Sequence, residues 1–387
     1  MSGIAARLAE GLAALERDGL RRKRRVLEGA QGARIVVDGR EVLNFSSNDY
    51  LGLANHPRLR AAAHAAIDAF GVGSGASPLV TGQMRVHQEA EARFARFTGL
   101  PAALLFPSGY AANLGVLAAL CDRHAEIFAD RLDHACLNDG AILSRAAFVR
   151  YPHLDFAALA ARLAASTAEV RVVATDTVFS MDGDLAPVPE LLALCERHDA
   201  WLLLDDAHGF GVLGPTGRGT LEHFGLRSSR VIYMATLGKA LGGYGAFVGG
   251  EPEVIEWLVQ KARTYVYSTA LPPAVAATAS AAMDLIDAEP ELVASLRQRI
   301  GEFRAAAASA GLPLGNSSTA IQPLILGEAA AAMQASAQLL ERGYCVPAIR
   351  PPTVPEGTSR LRVSLSAAHA REDVEGLVRA LGESLAR

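Results

Sequence analysis

Cysteine is scarce: four residues, Cys121, Cys136, Cys195 and Cys345, are spread through 387 positions without a C-x-x-C pair. That spacing builds neither a disulfide framework nor a zinc cluster. It fits reduced thiols in a cytoplasmic protein and predicts no metal site. Charge of one sign is missing too. The net charge is -4, and the one basic run, Arg21-Arg22-Lys23-Arg24-Arg25, has no interleaved aromatics. Nucleic acid is therefore excluded as a partner. The first twenty residues lack a secretory apolar core, because Arg7, Glu10, Glu16, Arg17 and Asp18 interrupt them. Two uncharged stretches, 98–121 and 264–283, are long enough to tempt a membrane reading. The first is broken by Pro107-Ser108-Gly109 and Asn113, the second by Pro272-Pro273. Lipid does not tolerate such breaks in backbone pairing, so both stretches read as buried core and no membrane is expected. No G-x-x-x-x-G-K-[ST] loop is present, which excludes an ATPase-type phosphate site.

What is present is ample core material. Half the residues are apolar and a fifth are charged, in a chain longer than one usual domain. Ile4, Leu8, Leu12 and Leu15 recur at helical spacing, and two apolar runs flank Asp38-Gly39 as a hairpin. Between about residues 100 and 250, short apolar runs at 103–106, 126–129, 171–174, 201–204, 230–235 and 245–248 alternate with helical segments. Such alternation predicts parallel strands joined by crossover helices, a mostly parallel α/β sheet with helices on both faces. In the last hundred residues, Ala/Leu/Glu/Arg helices at 290–310, 328–342 and 371–386 frame two strands, which predicts a smaller α+β lobe. The expected division is 1–45 as an N-terminal helix and hairpin packing with the small lobe, 46–285 as the large domain, and 286–387 as the C-terminal lobe.

Two readings compete for the chemistry. Gly209-Phe210-Gly211-Val212-Leu213-Gly214 matches a dinucleotide fingerprint. That site needs a helix starting at the glycines and an acid about twenty residues on. Here Pro215-Thr216-Gly217-Arg218-Gly219 follows, and no acid occurs between Glu222 and Glu251. A dinucleotide-dependent oxidoreductase is the remote alternative. The stronger pattern is Asp205, ending the run Trp201-Leu202-Leu203-Leu204, and Lys239, just beyond the run at 231–235. A carboxylate ending an apolar strand is costly unless a cation pairs with it. A protonated pyridine nitrogen is such a cation, and a lysine amine condenses with the aldehyde of pyridoxal 5'-phosphate. His208 is placed to reach the ring's phenolic oxygen, while Asp206 reads as a solvated turn residue. His134 is placed to cover the ring face. Thr236 offers a hydroxyl for the phosphate. Ser108-Gly109-Tyr110 precedes a helix whose N–H donors suit that same phosphate.

The segments Asn44-Phe45-Ser46-Ser47-Asn48-Asp49-Tyr50-Leu51-Gly52-Leu53, Gly73-Ser74-Gly75, Phe179-Ser180-Met181-Asp182-Gly183-Asp184, Asp205-Asp206-Ala207-His208-Gly209 and Thr236-Leu237-Gly238-Lys239 extend the pattern over nearly the whole chain. Together they resemble the fold-type I pyridoxal phosphate enzymes, and within them the α-oxoamine synthases. Those enzymes condense an amino acid with an acyl thioester and release carbon dioxide. The runs 320–324, 349–355 and 357–362 are similar to the branch of that family that joins L-alanine to a pimeloyl thioester in biotin synthesis. The sister activity, glycine or serine with another acyl-CoA, is the nearer alternative.

The resemblance implies an acyltransferase in which Lys239, His134, Asp205 and His208 are catalytic. Ser180 joins the cofactor set, and Ser268 and Thr269 reach the phosphate from the neighbouring subunit of a homodimer with shared active sites. Arg21, Asn48, Arg350, Thr353 and Arg362 would bind substrate, with Arg362 gripping the amino-acid carboxylate. Coenzyme A and an acyl carrier protein both remain open as thioester carriers. Asp176, where some relatives carry Glu, and Ala76 and Pro78, where others carry glycine, are departures at the cofactor entrance.

Overall fold

The computed structural model describes residues 3–22 and 24–385. The chain divides into two compact units: Asn48–Ser180 with Asp184–Leu296, and Met1–Ser47 with Met181–Gly183 and Arg297–Arg387.

The larger unit is built on strands β3 (Ala102–Phe106), β4 (Ala125–Asp130), β5 (Ala147–Tyr151), β6 (Val170–Asp176), β7 (Trp201–Asp205), β8 (Val231–Thr236) and β9 (Ala246–Gly250). The smaller unit carries β1 (Arg34–Val37), β2 (Arg40–Asn44), β10 (Ile321–Gly327), β11 (Tyr344–Cys345), β12 (Ala348–Ile349) and β13 (Ser359–Ser364). The large sheet has the order β3-β9-β8-β7-β6-β4-β5. Its central strands are near-continuous runs of Val, Leu and Ile, and Val172, Val173, Leu202, Leu203, Leu204 and Ile232 are fully buried. That pattern suits strands covered by helices on both faces.

The sheet is mostly parallel, as expected, and β9 is its one antiparallel strand, running against both β3 and β8. The connection from β8 to β9, residues 237–245, carries no helix, and so short a link cannot make a parallel crossover. β5 escaped the sequence reading because it is an edge strand: Ala147 and Arg150 are exposed, so no buried apolar run announces it.

In the smaller unit, β1 and β2 form the expected hairpin. Asp38 and Gly39 both take positive φ, 51° and 75°, which a two-residue hairpin loop requires. β11 extends that pair to three strands, and β10, β13 and β12 form a second small sheet. All six residues of β13 are buried, so neither Arg360 nor Arg362 faces solvent there. The opening helix, Gly3–Arg17, buries none of its residues, and its stripe of Ile4, Leu8, Leu12 and Leu15 is exposed.

Candidate active site

In the larger unit the carboxyl ends of β4, β6, β7 and β8 converge, the usual place for a ligand on an open α/β sheet. A cavity of about 170 Å³ lies there. Its lining includes Gly109, Tyr110, His134, Ser180, Asp205, His208, Thr236 and Lys239, all expected from the sequence. Cys136, Asp176, Ala207 and Met234 complete it.

Asp205 terminates β7 and is 5% exposed. Its Oδ2 accepts the Asn113 amide at 2.7 Å, and its Oδ1 accepts the Ala207 N–H at 3.0 Å. Asn113 sits inside the apolar helix Gly109–Leu120, fully buried, and also donates to Cys136 Sγ at 3.1 Å. Its own Oδ1 has no hydrogen-bond partner. A polar residue in the middle of an apolar helix was the available signal for this support.

Asp206 corrects the reading of a solvated turn. It is fully buried and accepts hydrogen bonds from the hydroxyls of Thr177, Thr220 and Tyr233 and from the Thr220 N–H. Burial still raises its pKa against the pull of those donors. One glycine of the apparent dinucleotide fingerprint, Gly209, makes room for this carboxylate, since a Cβ there would clash with Asp206 Oδ1, and Gly219 in the turn that follows does the same for Asp206 Oδ2 and Tyr233 Oη, whereas Gly211 packs on Ala240 and Gly214 on Glu222.

Lys239 lies in the β8–β9 connection, which closes on itself through Leu237 N–H to Gly245 O at 2.9 Å and Gly242 N–H to Lys239 O at 2.9 Å. Gly242 has φ 65°, and a Cβ there would strike the backbone of Leu53 and Ala54, so only glycine fits. The Lys239 amine is 2.8 Å from His208 Nε2, and His208 Nδ1 is 2.7 Å from Tyr50 Oη.

His134 caps the helix Ala135–Ser144, its Nδ1 accepting the Cys136 N–H at 3.2 Å, while its backbone N–H donates to Asp176 Oδ2 at 3.2 Å. Protein packed behind the imidazole lowers its pKa, as does the Lys239 charge, against the opposing pull of Asp205. Asp176 is raised well above the carboxylate range by burial, then by its neighbours Asp205 and Asp133.

Ser108 caps the helix Gly109–Leu120 by accepting the Ala111 N–H at 3.1 Å. The first N–H groups of a helix have no intrahelical partner, and Gly109 and Tyr110 of that turn face the cavity. The Thr236 hydroxyl donates to Gly245 O at 3.1 Å and accepts the Gly238 N–H at 3.2 Å, so it must turn to meet a phosphate. Ser268 and Thr269 stand outside this cavity and line a separate small one beside Gln83 and His87.

The expected substrate residues gather in part. Arg21, Arg350 and Thr353 line a cleft of about 1000 Å³ in the smaller unit, with Arg22, Arg24 and Arg25. Arg21 pairs with Glu16 at 3.0 Å, Arg22 donates to Thr353 at 3.1 Å, and Arg350 donates to Arg21 O at 3.1 Å. Arg362 donates to Ser364 Oγ at 2.9 Å, and Arg360 is committed to the Asp182 carboxylate. Asn48 belongs to the larger unit, where its Oδ1 accepts from Tyr50 Oη at 3.1 Å. Among the described residues no group of His, Cys, Asp and Glu is arranged to hold a metal ion.

This donor set fits pyridoxal phosphate group by group. A buried carboxylate with its own oriented donors meets a ring cation, an amine meets an aldehyde, and a helix start meets a phosphate.

Comparison with known proteins agrees. The family model for aminotransferase class I and II matches residues 40–381. An 8-amino-7-oxononanoate synthase of Methylococcus capsulatus is 54% identical over 378 residues, covering 97% of this chain and 98% of that one. The enzyme of the same name from Methylobacillus flagellatus is 55% identical over 367 residues, covering 95% and 93%. A serine palmitoyltransferase structure with pyridoxal phosphate superposes with a TM-score of 0.92 at 29% identity, covering 97% of this chain and 96% of that one. The chain belongs to the aminotransferase class I and II family and, within its fold-type I pyridoxal phosphate enzymes, to the 8-amino-7-oxononanoate synthases, acyl-transferring members of the α-oxoamine group.

Proposed function

We propose that this enzyme condenses L-alanine with a pimeloyl thioester to give 8-amino-7-oxononanoate, carbon dioxide and a free thiol, a step of biotin synthesis in the cytoplasm. The observation that carries this reading is the 54% identity over 97% of the chain to enzymes of that name, against 29% to serine palmitoyltransferase. The pocket chemistry suits both reactions, so fold similarity does not separate them.

Bound pyridoxal phosphate supplies an electron sink that stabilises negative charge at the amino-acid Cα. Asp205, held by Asn113 and the Ala207 N–H, keeps a proton on the ring nitrogen. His134 covers the ring, and its lowered pKa favours a neutral face. The first turn of the helix Gly109–Leu120, with Ser108 and Thr236, receives the phosphate. His208 donates to the phenolic oxygen.

Lys239 anchors the cofactor. Once alanine displaces it, its amine removes the Cα proton, which requires that amine to be neutral. The Cα carbon then attacks the thioester carbonyl, the thiolate leaves, and the β-keto acid loses carbon dioxide.

Arg362 makes a bidentate fork to the amino-acid carboxylate, which lysine cannot copy. Asn48 and Ser180 contact substrate or ring. Arg21, Arg350 and Thr353 take the thioester, and their basic cleft suits the phosphates of coenzyme A or of a carrier protein's prosthetic arm. Ser268 and Thr269 complete the phosphate site of a second copy in a homodimer, which is consistent with their position outside the cavity of their own unit.

A product assay tests the proposal. L-alanine, glycine and L-serine are offered separately with pimeloyl-CoA and with the pimeloyl carrier-protein thioester. Product from alanine supports it, and preferential product from serine or glycine overturns it.

A further inference from the structure

We infer that His153 is a positioning residue for the cofactor cavity: by bridging Asp130 and Asp184 it sets the hairpin of residues 177–186 so that Ser180 is held at the cavity wall. The inference rests on the reading of Ser180 as a cofactor residue.

His153 follows β5 and is half-buried. Its Nδ1 is 3.0 Å from Asp130 Oδ1, and its Nε2 is 2.8 Å from Asp184 Oδ2. Ionised carboxylate oxygens only accept, so each ring nitrogen must carry a hydrogen and the ring is an imidazolium. Burial pulls its pKa down, but the two carboxylates carry it up to about 10, so both hydrogens are in place at neutral pH. The imidazole also stands at 90° to the Phe179 ring, with centroids 4.5 Å apart.

The two ends of the bridge differ. Asp130 ends β4, is 1% exposed and accepts the N–H groups of Leu132 and Leu154, both at 2.8 Å. The second of these bonds holds Leu154 at φ 55°, a left-handed conformation that a bulky residue keeps only where its surroundings impose it. The backbone beside His153 is therefore fixed, and the imidazole is aimed from a rigid base. Asp184 has less support. Its Oδ1 is buried without a hydrogen-bond partner, so its carboxylate depends on His153.

Asp184 belongs to the second arm of the hairpin. Its carbonyl accepts the Phe179 N–H at 3.0 Å, Val178 and Leu185 form an antiparallel bridge, and the Ala186 N–H donates to Thr177 O at 2.9 Å. The Thr177 N–H donates to Asp205 O at 2.9 Å, which ties the base of the hairpin to the end of β7. The turn is held separately, by Arg360 on Asp182 and by the Thr319 hydroxyl on Gly183 O at 3.1 Å. His153 is the hold on the arms. It packs on Phe179 in one arm and bonds Asp184 in the other. Ser180 follows Phe179 directly and lines the cavity. Without the imidazolium, Asp184 is a half-buried carboxylate lacking a donor, and water is its only remedy. The arm that turns toward water draws its backbone partner Phe179 along, and Ser180 with it.

The test dialyses holoenzyme against graded pyridoxal 5'-phosphate to measure cofactor retention, and follows amide hydrogen exchange of the hairpin. Ser180→Ala should weaken retention about five- to tenfold. His153→Gln should weaken it by a similar factor and speed exchange over residues 177–186 relative to β7. The double variant should match Ser180→Ala within about twofold, because both changes remove the same contact. A double variant weakened by the product of the two single effects marks a merely structural role and overturns the inference. Parent-like retention or parent-like exchange in His153→Gln overturns it as well. If His153→Gln does not fold, Asp184→Asn, which weakens the other end of the same bond, takes its place in the cycle and the same outcomes decide. If Ser180→Ala retains cofactor like the parent, the reading of Ser180 has failed and the inference falls with it. A loss in Ser180→Ala without one in His153→Gln keeps that reading and refutes the inference alone.

Discussion

Replacing Asp205 by asparagine separates the charge of this residue from its shape. The carboxylate is 5% exposed and has a donor on each oxygen, Asn113 at 2.7 Å and the Ala207 N–H at 3.0 Å. An asparagine keeps the volume and one acceptor. If its oxygen stays on the Ala207 N–H, its amide group meets the amide group of Asn113, donor against donor. Asn113 has a remedy, because its Oδ1 is buried without a partner. Rotating that side chain by half a turn presents Oδ1 to the new amide, at the expense of the 3.1 Å contact to Cys136 Sγ. The fold should therefore lose no more than about 1 kcal/mol, the net worth of one neutral hydrogen bond. Function should lose far more, since the bond to a ring cation is charge-assisted and worth about 1.5–3 kcal/mol. That corresponds to roughly a 10- to 150-fold fall in kcat/KM. Thermal unfolding of the holoenzyme and steady-state condensation measure the two effects. A large stability loss would show that Asn113 cannot turn. Activity within a factor of two of the parent would refute the ring-nitrogen role.

Three further outcomes are expected. Lys239→Ala should retain cofactor without a borohydride-reducible link and give no detectable condensation, whereas near-normal turnover would remove the lysine from the mechanism. Arg362→Lys should raise KM for L-alanine by roughly one to two decades and leave cofactor affinity unchanged. Arg360→Lys is the comparison, since Arg360 is committed to Asp182, and a stronger effect there would move the carboxylate site. His153 bridges Asp130 at 3.0 Å and Asp184 at 2.8 Å. Burial pulls its pKa down, but the two carboxylates together carry it up to about 10. Its folded pKa exceeds the unfolded value, so its contribution is complete below about pH 6.5 and is lost as pH rises through about 10. His153→Gln should flatten the fall in melting temperature over that window, and an unchanged pH dependence would refute the bridge.

Much of the larger unit was legible because its central strands are buried on both faces and so appear as unbroken apolar runs. Asp205 and Lys239 stood out for the same reason, as polar residues where those runs stop. The parts that were hidden share a physical cause. β5 has an open edge, so half its side chains are polar or small. β9 differs from its neighbours only in direction, and apolar composition carries no sign of direction. Asp206 and Asp205 are adjacent and chemically alike, and only the three hydroxyls supplied by Thr177, Thr220 and Tyr233 from distant positions make the second one a buried group. Tyr50 was visible within a matched segment, but its geometry with His208 joins positions 158 apart. Local pattern cannot report a contact of that length.

The row of acids behind the pocket bears on how long the protein survives in a cell. Asp133 and Asp176 are both buried, and loss of water pushes each well above the ordinary carboxylate range, with Asp130 adding to it for Asp133, and Asp205 and Asp133 for Asp176. Asp205 stands next in the row, on the neighbouring strand. Three acids in one dry region are an unfavourable arrangement that the Lys239 charge relieves only in part. A cofactor that brings a ring cation to Asp205 binds the folded chain and not the unfolded one, and by mass action it raises the free energy of unfolding. The supply of vitamin B6 then governs more than the fraction of molecules able to react. It sets how often the chain opens to proteases, and hence how much of it accumulates.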